Sequence, residues 1–247
     1  FMIDVGRKFV SLEYLYEIMK TMSWYKMNDL QVHLNDNYIW VPEYGANAIE
    51  NAYAGFRLES NDIGENGVPL TSQDGYYTKE DFGNFIDNSK VYGVNITPEF
   101  ESPAHALAFI KAHPEYAYGN GEGENAAMLD VTNPEVVDYI KGIYSEYMDG
   151  ENPVFRDATF HIGADEFYGN PEEYRVYVDE MLKYVRDEKG RTPRVWGSLK
   201  RKAGTTPVTV EGVEMNIWSR DWADAKQMYE AGYKLINTPD TYLYIVP

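Results

Sequence analysis

Asp165-Glu166 is the pair at which this chain could do acid–base chemistry. It follows His161-Ile162-Gly163-Ala164, an apolar run closing on a glycine, which reads as the end of a strand. On a regular strand, neighbouring side chains point to opposite faces. After Gly163 the pleat can relax, so both carboxyls can face one way. Two adjacent carboxyls among apolar and aromatic groups cannot both ionise freely, and one is pushed toward the neutral acid. That division gives one proton donor and one group that stays charged, as glycosidic cleavage requires. The plainer reading is an acidic cap ahead of a helix entered at Pro171. It leaves unexplained the other residues gathered at strand ends: Arg7 after Asp4-Val5-Gly6, Asp36 after His33-Leu34-Asn35, His105 after Ser102-Pro103-Ala104, and Trp196, Trp218 and Tyr242.

The elements that would hold them alternate. Residues 1–5, 30–34, 94–100, 158–163, 194–196, 213–217 and 234–237 read as strands. In the second, Leu30, Val32 and Leu34 share one face, and Gln31 and His33 the other. Helical spacing is clear after Ser11 in Leu12, Leu15, Tyr16, Met19 and Met22, and after Pro134 in Val136, Val137, Ile140 and Ile143. Further helices are expected over 79–92, 104–112, 171–188 and 222–231. Repeated βα units imply parallel strands. At 247 residues, an α/β fold of the (β/α)8 TIM barrel type is the leading reading, and a doubly wound sheet the second. Function in a barrel gathers at the C-terminal ends of the strands. Seven strands fall one short of closure. The chain therefore reads as a single catalytic barrel domain over 1–247, cut before an eighth strand at Pro247 and belonging to a larger multidomain protein. Residues 37–77 form a long insertion without a period. Residues 119–125 are oxygen-rich but lack calcium-ligand spacing and read as plain loop.

Composition narrows the partners. Lys and Arg number 22 against 40 Asp and Glu, a net charge of −18, which disfavours nucleic acid and anionic lipid. No cysteine is present, so no disulfide or thiolate chemistry is available. No apolar run reaches the roughly 18 residues of a membrane helix, so no membrane insertion is expected. His33, His105 and His161 form no H-x-H pair, and neither a metal nor another cofactor is expected. His33 is read as filler of the barrel mouth rather than a site residue. The 22 Tyr outnumber the 10 Phe, and an excess of rings with a polar handle suits surfaces that meet a flat, hydroxylated ligand such as a sugar.

The segment His161-Ile162-Gly163-Ala164-Asp165-Glu166 resembles the H-x-G-[GA]-D-E signature of glycoside hydrolase family 20, the β-N-acetylhexosaminidases and their relatives. The resemblance extends through Asp4-x-x-Arg7, His33-Leu34-x-Asp36, Pro98-Glu99-x-Glu101-x-Pro103-x-His105, Trp196, Trp218 and Tyr242. It implies a (β/α)8 barrel and retaining, exo-acting hydrolysis of terminal β-linked N-acetylglucosamine or N-acetylgalactosamine from glycans, with an oxazolinium intermediate. Glu166 is then the general acid and Asp165 the acceptor of the acetamido N–H. Tyr242 donates to the acetamido oxygen. Trp196 and Trp218 wall its methyl group, and Arg7 and His161 meet the sugar. His105 and Asp36 stand behind the acid. Lys8, Glu101 and Ala104 depart from the commoner family residues and mark a divergent subgroup. Release of a disaccharide such as lacto-N-biose is the alternative activity, and a barrel that binds amino sugars without cleaving them is the alternative class. A secreted or cell-surface bacterial location is expected, with the signal outside this sequence.

Overall fold

The computed structural model describes residues 1–156 and 158–245. Its elements run β1 (Met2–Asp4), α1 (Leu12–Trp24), β2 (Asp29–His33), β3 (Asn35–Asn37), α2 (Ala48–Asn51), β4 (Ala54–Phe56), α3 (Lys79–Val91), β5 (Asn95–Ser102), α4 (Leu107–Ala112), α5 (Pro134–Met148), β6 (Phe160–Gly163), α6 (Pro171–Lys183), β7 (Pro193–Trp196), β8 (Glu214–Ile217), α7 (Ala225–Ala231), β9 (Lys234–Asn237) and α8 (Asp240–Leu243). Helix starts follow the caps in the sequence: Ser11, Thr78, Asn133, Asn170 and Asp224 each accept a backbone N–H of the first turn. Among the described residues, no helix is long and apolar enough to cross a membrane.

Seven strands form one parallel sheet in the order β1-β2-β5-β6-β7-β8-β9. These are the seven strands legible in the sequence, and the doubly wound alternative is excluded by their order, which never reverses. The sheet is curled. Arg194 on β7 makes a bidentate pair with Asp29 on β2, three strands away, with both N–O distances 2.9 Å. Asn216 on β8 donates to Gln31 on β2, four strands away, at 3.3 Å. Such bonds cross an interior only if the sheet closes around it. Among the described residues, β1 and β9 each pair on one side only.

The alternation of β2 has its reason here. Leu30, Val32 and Leu34 face the helices and are fully buried in the apolar core. Asp29, Gln31 and His33 face the barrel interior, as do Thr97, Glu99 and Glu101 of β5. The interior is therefore polar, and its groups bond across it rather than packing as an apolar plug. At the N-terminal end of the strands a cavity of about 270 Å³ is lined by Asp29, Lys90, Arg194 and Glu214. Arg194 there holds both Asp29 and Glu214.

The insertion is ordered by internal bonds. β3 pairs antiparallel with β4, and a tight helical turn over Val41–Asn47 joins them before α2. Arg57, fully buried, donates from Nε to the carbonyls of Val5 (2.9 Å) and Gly6 (3.2 Å), and from Nη1 to Asp74 and the Gly75 carbonyl. One guanidinium thereby fastens the insertion to the exit of β1.

Candidate active site

Each strand exit delivers its side chain by a local device. Gly6 follows β1, and Arg7 turns back so that its backbone N–H meets Asp4 Oδ1 at 3.0 Å. Asn35, where β2 gives way to β3, caps the end of β5 by pairing with the Glu101 backbone: its amide donates to the Glu101 carbonyl, and its oxygen accepts the Glu101 N–H at 2.8 Å. β6 ends in Gly163 at φ +73°, and Ala164 (φ +76°) and Glu166 (φ +37°) continue in left-handed backbone. His105 lies at φ +53°. Three of the five non-glycine residues with positive φ among the described residues are thus at this mouth. Such strain collects where surrounding structure over-determines the backbone. It also lets Asp165 and Glu166 share a face, as the sequence suggested.

Asp36 is the hub. Its Oδ2 meets His33 Nε2 at 2.7 Å and Arg7 Nη2 at 2.8 Å, and its Oδ1 meets His105 Nδ1 at 3.0 Å. Arg7 also reaches Asp4 at 2.8 Å, so the structural ion pair and the mouth position coexist. His105 Nε2 lies 3.3 Å from Glu166 Oε2 and 3.5 Å from Asp165 Oδ1. Below, His33 Nδ1 is 3.2 Å from Glu99. Glu99 accepts from Gln31 (2.8 Å) and from the Trp196 indole N–H (2.6 Å). That indole is shared with Glu101 at 2.8 Å. Charge therefore alternates from the mouth into the barrel through Glu166, His105, Asp36, His33 and Glu99.

Protonation follows this alternation. Burial works against the charged forms of His105 and His33, yet Asp36 and Glu99 outweigh it and hold both imidazoles well above their ordinary range. Asp36 and Glu99 are in turn held far below the carboxylate range by the histidines, against their burial. Glu101 is pushed well up by burial and by Asp165 and Glu99. Asp165 is raised to about 6, by burial first and by the charge of Glu166, with His105 opposing. Glu166 is lowered, chiefly by its hydrogen bond to His105. The two neighbouring carboxyls are indeed split, with Asp165 raised and Glu166 lowered, so below about pH 6 the proton of the free protein is held by Asp165 rather than by Glu166. Asp165 Oδ1 is buried and accepts no hydrogen bond among the described residues.

The match to the catalytic-domain model of glycosyl hydrolase family 20 covers residues 1–173. The chain belongs to glycosyl hydrolase family 20. It is similar to a lacto-N-biosidase of Bifidobacterium bifidum, 27% identical over 187 aligned positions, covering 66% of this chain and 16% of that protein. It is also similar to a beta-hexosaminidase of Akkermansia muciniphila, 28% identical over 275 aligned positions, covering 99% of this chain and 52% of that protein. The chain spans about half the length of these relatives, or less. Its fold matches the solved structure of Flavobacterium johnsoniae chitobiase with a TM-score of 0.74 at 21% identity, over 98% of this chain and 38% of that one.

In this family 20 domain, Arg7, Asp36, His105, Asp165 and Glu166 form one bonded group. Four other expected site residues lie elsewhere. Trp196 is 4% exposed, with its N–H spent on Glu99 and Glu101, so it forms a floor inside the barrel. His161 is fully buried against Trp196 (ring centroids 4.9 Å apart). It is held neutral, lowered to about 4 by burial, and accepts the Gly163 N–H. It does not reach the mouth. Trp218 sits at the rim, half-buried, with its ring 5.8 Å from Trp222. Tyr242 lies on α8, 75% exposed, and its hydroxyl bonds nothing among the described residues. Tyr244, in extended backbone just past α8, instead carries the influence of Asp165, Glu99 and Glu101, which with burial push its hydroxyl far above the usual range. Tyr242 on α8 thus faces outward.

His33 belongs to the network, contrary to its reading as filler, and Asn35, Glu99 and Glu101 were also missed as site residues. The signal was available: alternate positions of β2 and β5 are polar, which an apolar barrel interior would not permit. As for metals, the ligating atoms of His33, Glu99 and Glu101 lie within 4.8 Å of one another, as do those of Asp4, His33 and Asp36. Both sets depend on His33, which as an imidazolium offers no lone pair, and their carboxylates already accept from Arg7, Gln31 and Trp196. These donors do not suit an ion while that pairing holds.

Proposed function

We propose that this domain is a retaining exo-β-N-acetylhexosaminidase, hydrolysing terminal β-linked N-acetylglucosamine or N-acetylgalactosamine with the substrate's own acetamido group as nucleophile. The observation that carries the reading is the buried Oδ1 of Asp165 beside Glu166, which accepts no hydrogen bond among the described residues and has the His105 imidazolium no nearer than 3.5 Å. A buried acceptor without a donor is costly, and an acetamido N–H supplies that donor. Such a bond favours the ionised form of Asp165. The proton leaves Asp165, and the new negative charge raises Glu166. Binding of the amino sugar thereby moves the proton to the group that needs it.

Glu166 then protonates the glycosidic oxygen as its bond to the anomeric carbon breaks. The acetamido oxygen closes on that carbon from the opposite face, giving an oxazolinium ion whose N–H Asp165 holds. Glu166, now a carboxylate, takes a proton from water, which opens the ring with net retention. His105 and Asp36 act through Glu166 as positioning residues. Arg7, held in a fork between Asp4 and Asp36, supports the sugar hydroxyls.

Hydrolysis of 4-nitrophenyl N-acetyl-β-glucosaminide tests this. Glu166→Gln should abolish turnover, and a thiazoline mimic of the cyclised sugar should inhibit. Unchanged turnover in Glu166→Gln sinks the assignment. A lacto-N-biosidase activity is the second reading, favoured by the similarity to the B. bifidum enzyme. Release of nitrophenol from the lacto-N-biose glycoside but not from the monosaccharide glycoside would select it. The polymeric glycans this reading implies are met outside the cell, so recovery of the full-length protein from the cell surface or medium is expected, and a purely cytosolic pool would contradict it.

A further inference from the structure

The exits of β7 and β8 carry an unexpected sign of charge. In a chain with a net charge of −18, Lys200 and Arg201 follow β7, and Arg220 follows β8, all exposed. The Lys200 ammonium donates to the Arg220 carbonyl at 2.7 Å, tying the two loops together. Among the described residues, none of these three cations is ion-paired with a carboxylate. The Arg201 guanidinium is nonetheless fixed, lying over the Trp222 ring at 4.6 Å. Trp222 packs edge-on to Tyr168 with ring centroids 6.0 Å apart. Tyr168 is half-exposed and only two residues past Glu166. Its hydroxyl is raised by partial burial, by Glu166 and by Glu124, with His105 and Arg201 acting the other way, so acids, tyrosine and guanidinium share one neighbourhood.

A general acid must reach the glycosidic oxygen, so whatever lies just beyond it faces the departing sugar. A guanidinium held over an indole ring keeps its fork of donors available for a two-oxygen anion. We propose that Tyr168 and Arg201, held from behind by the buried Trp222, form a leaving-group subsite that selects a departing sugar bearing an anionic substituent, a sulfate or a carboxylate. The inference rests on the hexosaminidase reading. It adds a preference that the overall acidity of the chain opposes.

The test compares kcat/KM of the 247-residue protein for N,N'-diacetylchitobiose, its 6-O-sulfate at the reducing sugar, and N-acetylglucosamine β-linked to glucuronic acid. The expected result is a preference of about fivefold or more for one or both anionic substrates at low salt, shrinking in 0.5 M NaCl as exposed charges are screened. The two anionic arms separate sulfate from carboxylate. Arg201→Glu should lower the anionic-to-neutral ratio by about tenfold. Lys26→Glu, at the opposite end of the barrel, should leave the ratio alone. Equal kcat/KM for all three substrates, or a ratio that Arg201→Glu does not move, overturns the proposal. If no substrate is cleaved, the hexosaminidase reading fails. Calorimetry on Glu166→Gln then decides the subsite by itself, with about tenfold tighter binding of the sulfated disaccharide expected and equal Kd values overturning it.

Discussion

His105 stands between Asp36 and Glu166, its Nδ1 3.0 Å from a carboxylate oxygen of one and its Nε2 3.3 Å from that of the other. A single imidazolium thus links a buried anion to the one carboxylate of the mouth that is 37% exposed. It lowers Glu166 directly and Asp165 through space.

This arrangement sets the pH dependence. The productive free protein carries one proton on the Asp165–Glu166 pair. That proton is lost near pH 6, where Asp165 titrates, and a second is gained only below the usual carboxylate range of Glu166. A plot of kcat/KM against pH should fall about tenfold per unit above pH 6. His105→Gln removes the cation that lowers both groups. Its alkaline limb should move upward by half a unit or more while kcat falls about 10- to 100-fold. A limb that stays in place would show that His105 does not govern the proton.

Asp165→Asn separates stability from activity. The folded protein raises Asp165 from 3.8 to about 6, so the native state prefers the protonated form and ionisation costs stability as pH rises between those values. Two units correspond to about 3 kcal/mol at most. Asparagine never ionises. The variant should unfold at a higher temperature than the wild type at pH 7.5, at the same temperature near pH 4, and lose turnover at both. Scanning calorimetry at the two pH values checks this, and a variant less stable at pH 7.5 contradicts it.

Much of the fold was legible because each strand is a short apolar or alternating run between turn residues, and all seven are found where they read. The barrel's curl was not, since it shows only in cross-barrel bonds such as Arg194–Asp29. The tyrosine excess was legible as a fact but not as a cause. Tyr174 and Tyr177 on α6 are buried and send their hydroxyls to the Ala164 carbonyl (2.5 Å) and to Ser102 Oγ (2.8 Å). These rings clamp the strand exits from behind and do not meet a ligand. At the site, acids and His105 were legible by type and position. Tyr244 was not, because facing at a chain turn depends on a backbone the sequence pattern does not specify.

Asp36→Asn should weaken the protein in a pH-dependent way. His33 and His105 are raised in the folded state, so their contribution is fully present below about pH 6.5 and is lost as pH rises through their folded values. Asp36 is depressed, so its contribution is present above about pH 4 and lost as pH falls toward its folded value. Between those limits both hold. Removing the buried charge there takes away the carboxylate that both imidazoles and Arg7 share, leaving Arg7 with Asp4, His33 with Glu99, and His105 with the Asp165–Glu166 pair, a loss of about 3 kcal/mol. Thermal melts should show the largest gap between wild type and variant near pH 6 and a narrower gap at pH 9. A gap that does not vary with pH would mean the histidines are neutral.

Gly163→Ala probes the turn that brings Asp165 and Glu166 to one face. At φ +73° an alanine is strained by about 1–2 kcal/mol. Its Cβ would also lie 2.1 Å from Glu101 Oε2 and 2.8 Å from the Glu101 Cα, and the backbone contact cannot swing away. Glu101 Oε2 accepts the Ala164 N–H at 3.2 Å, so displacing it loosens the exit on which both acids ride. The expected loss is about 2–4 kcal/mol, with a fall in kcat beyond what unfolding explains. Gly142 in α5 has open space around its Cα, and Gly142→Ala should stabilise the protein by about 0.5–1 kcal/mol with kcat unchanged. Urea unfolding of both variants distinguishes the cases. If Gly163→Ala keeps its stability and turnover, the backbone after β6 does not depend on the left-handed glycine, and another device must turn the two carboxyls to one face.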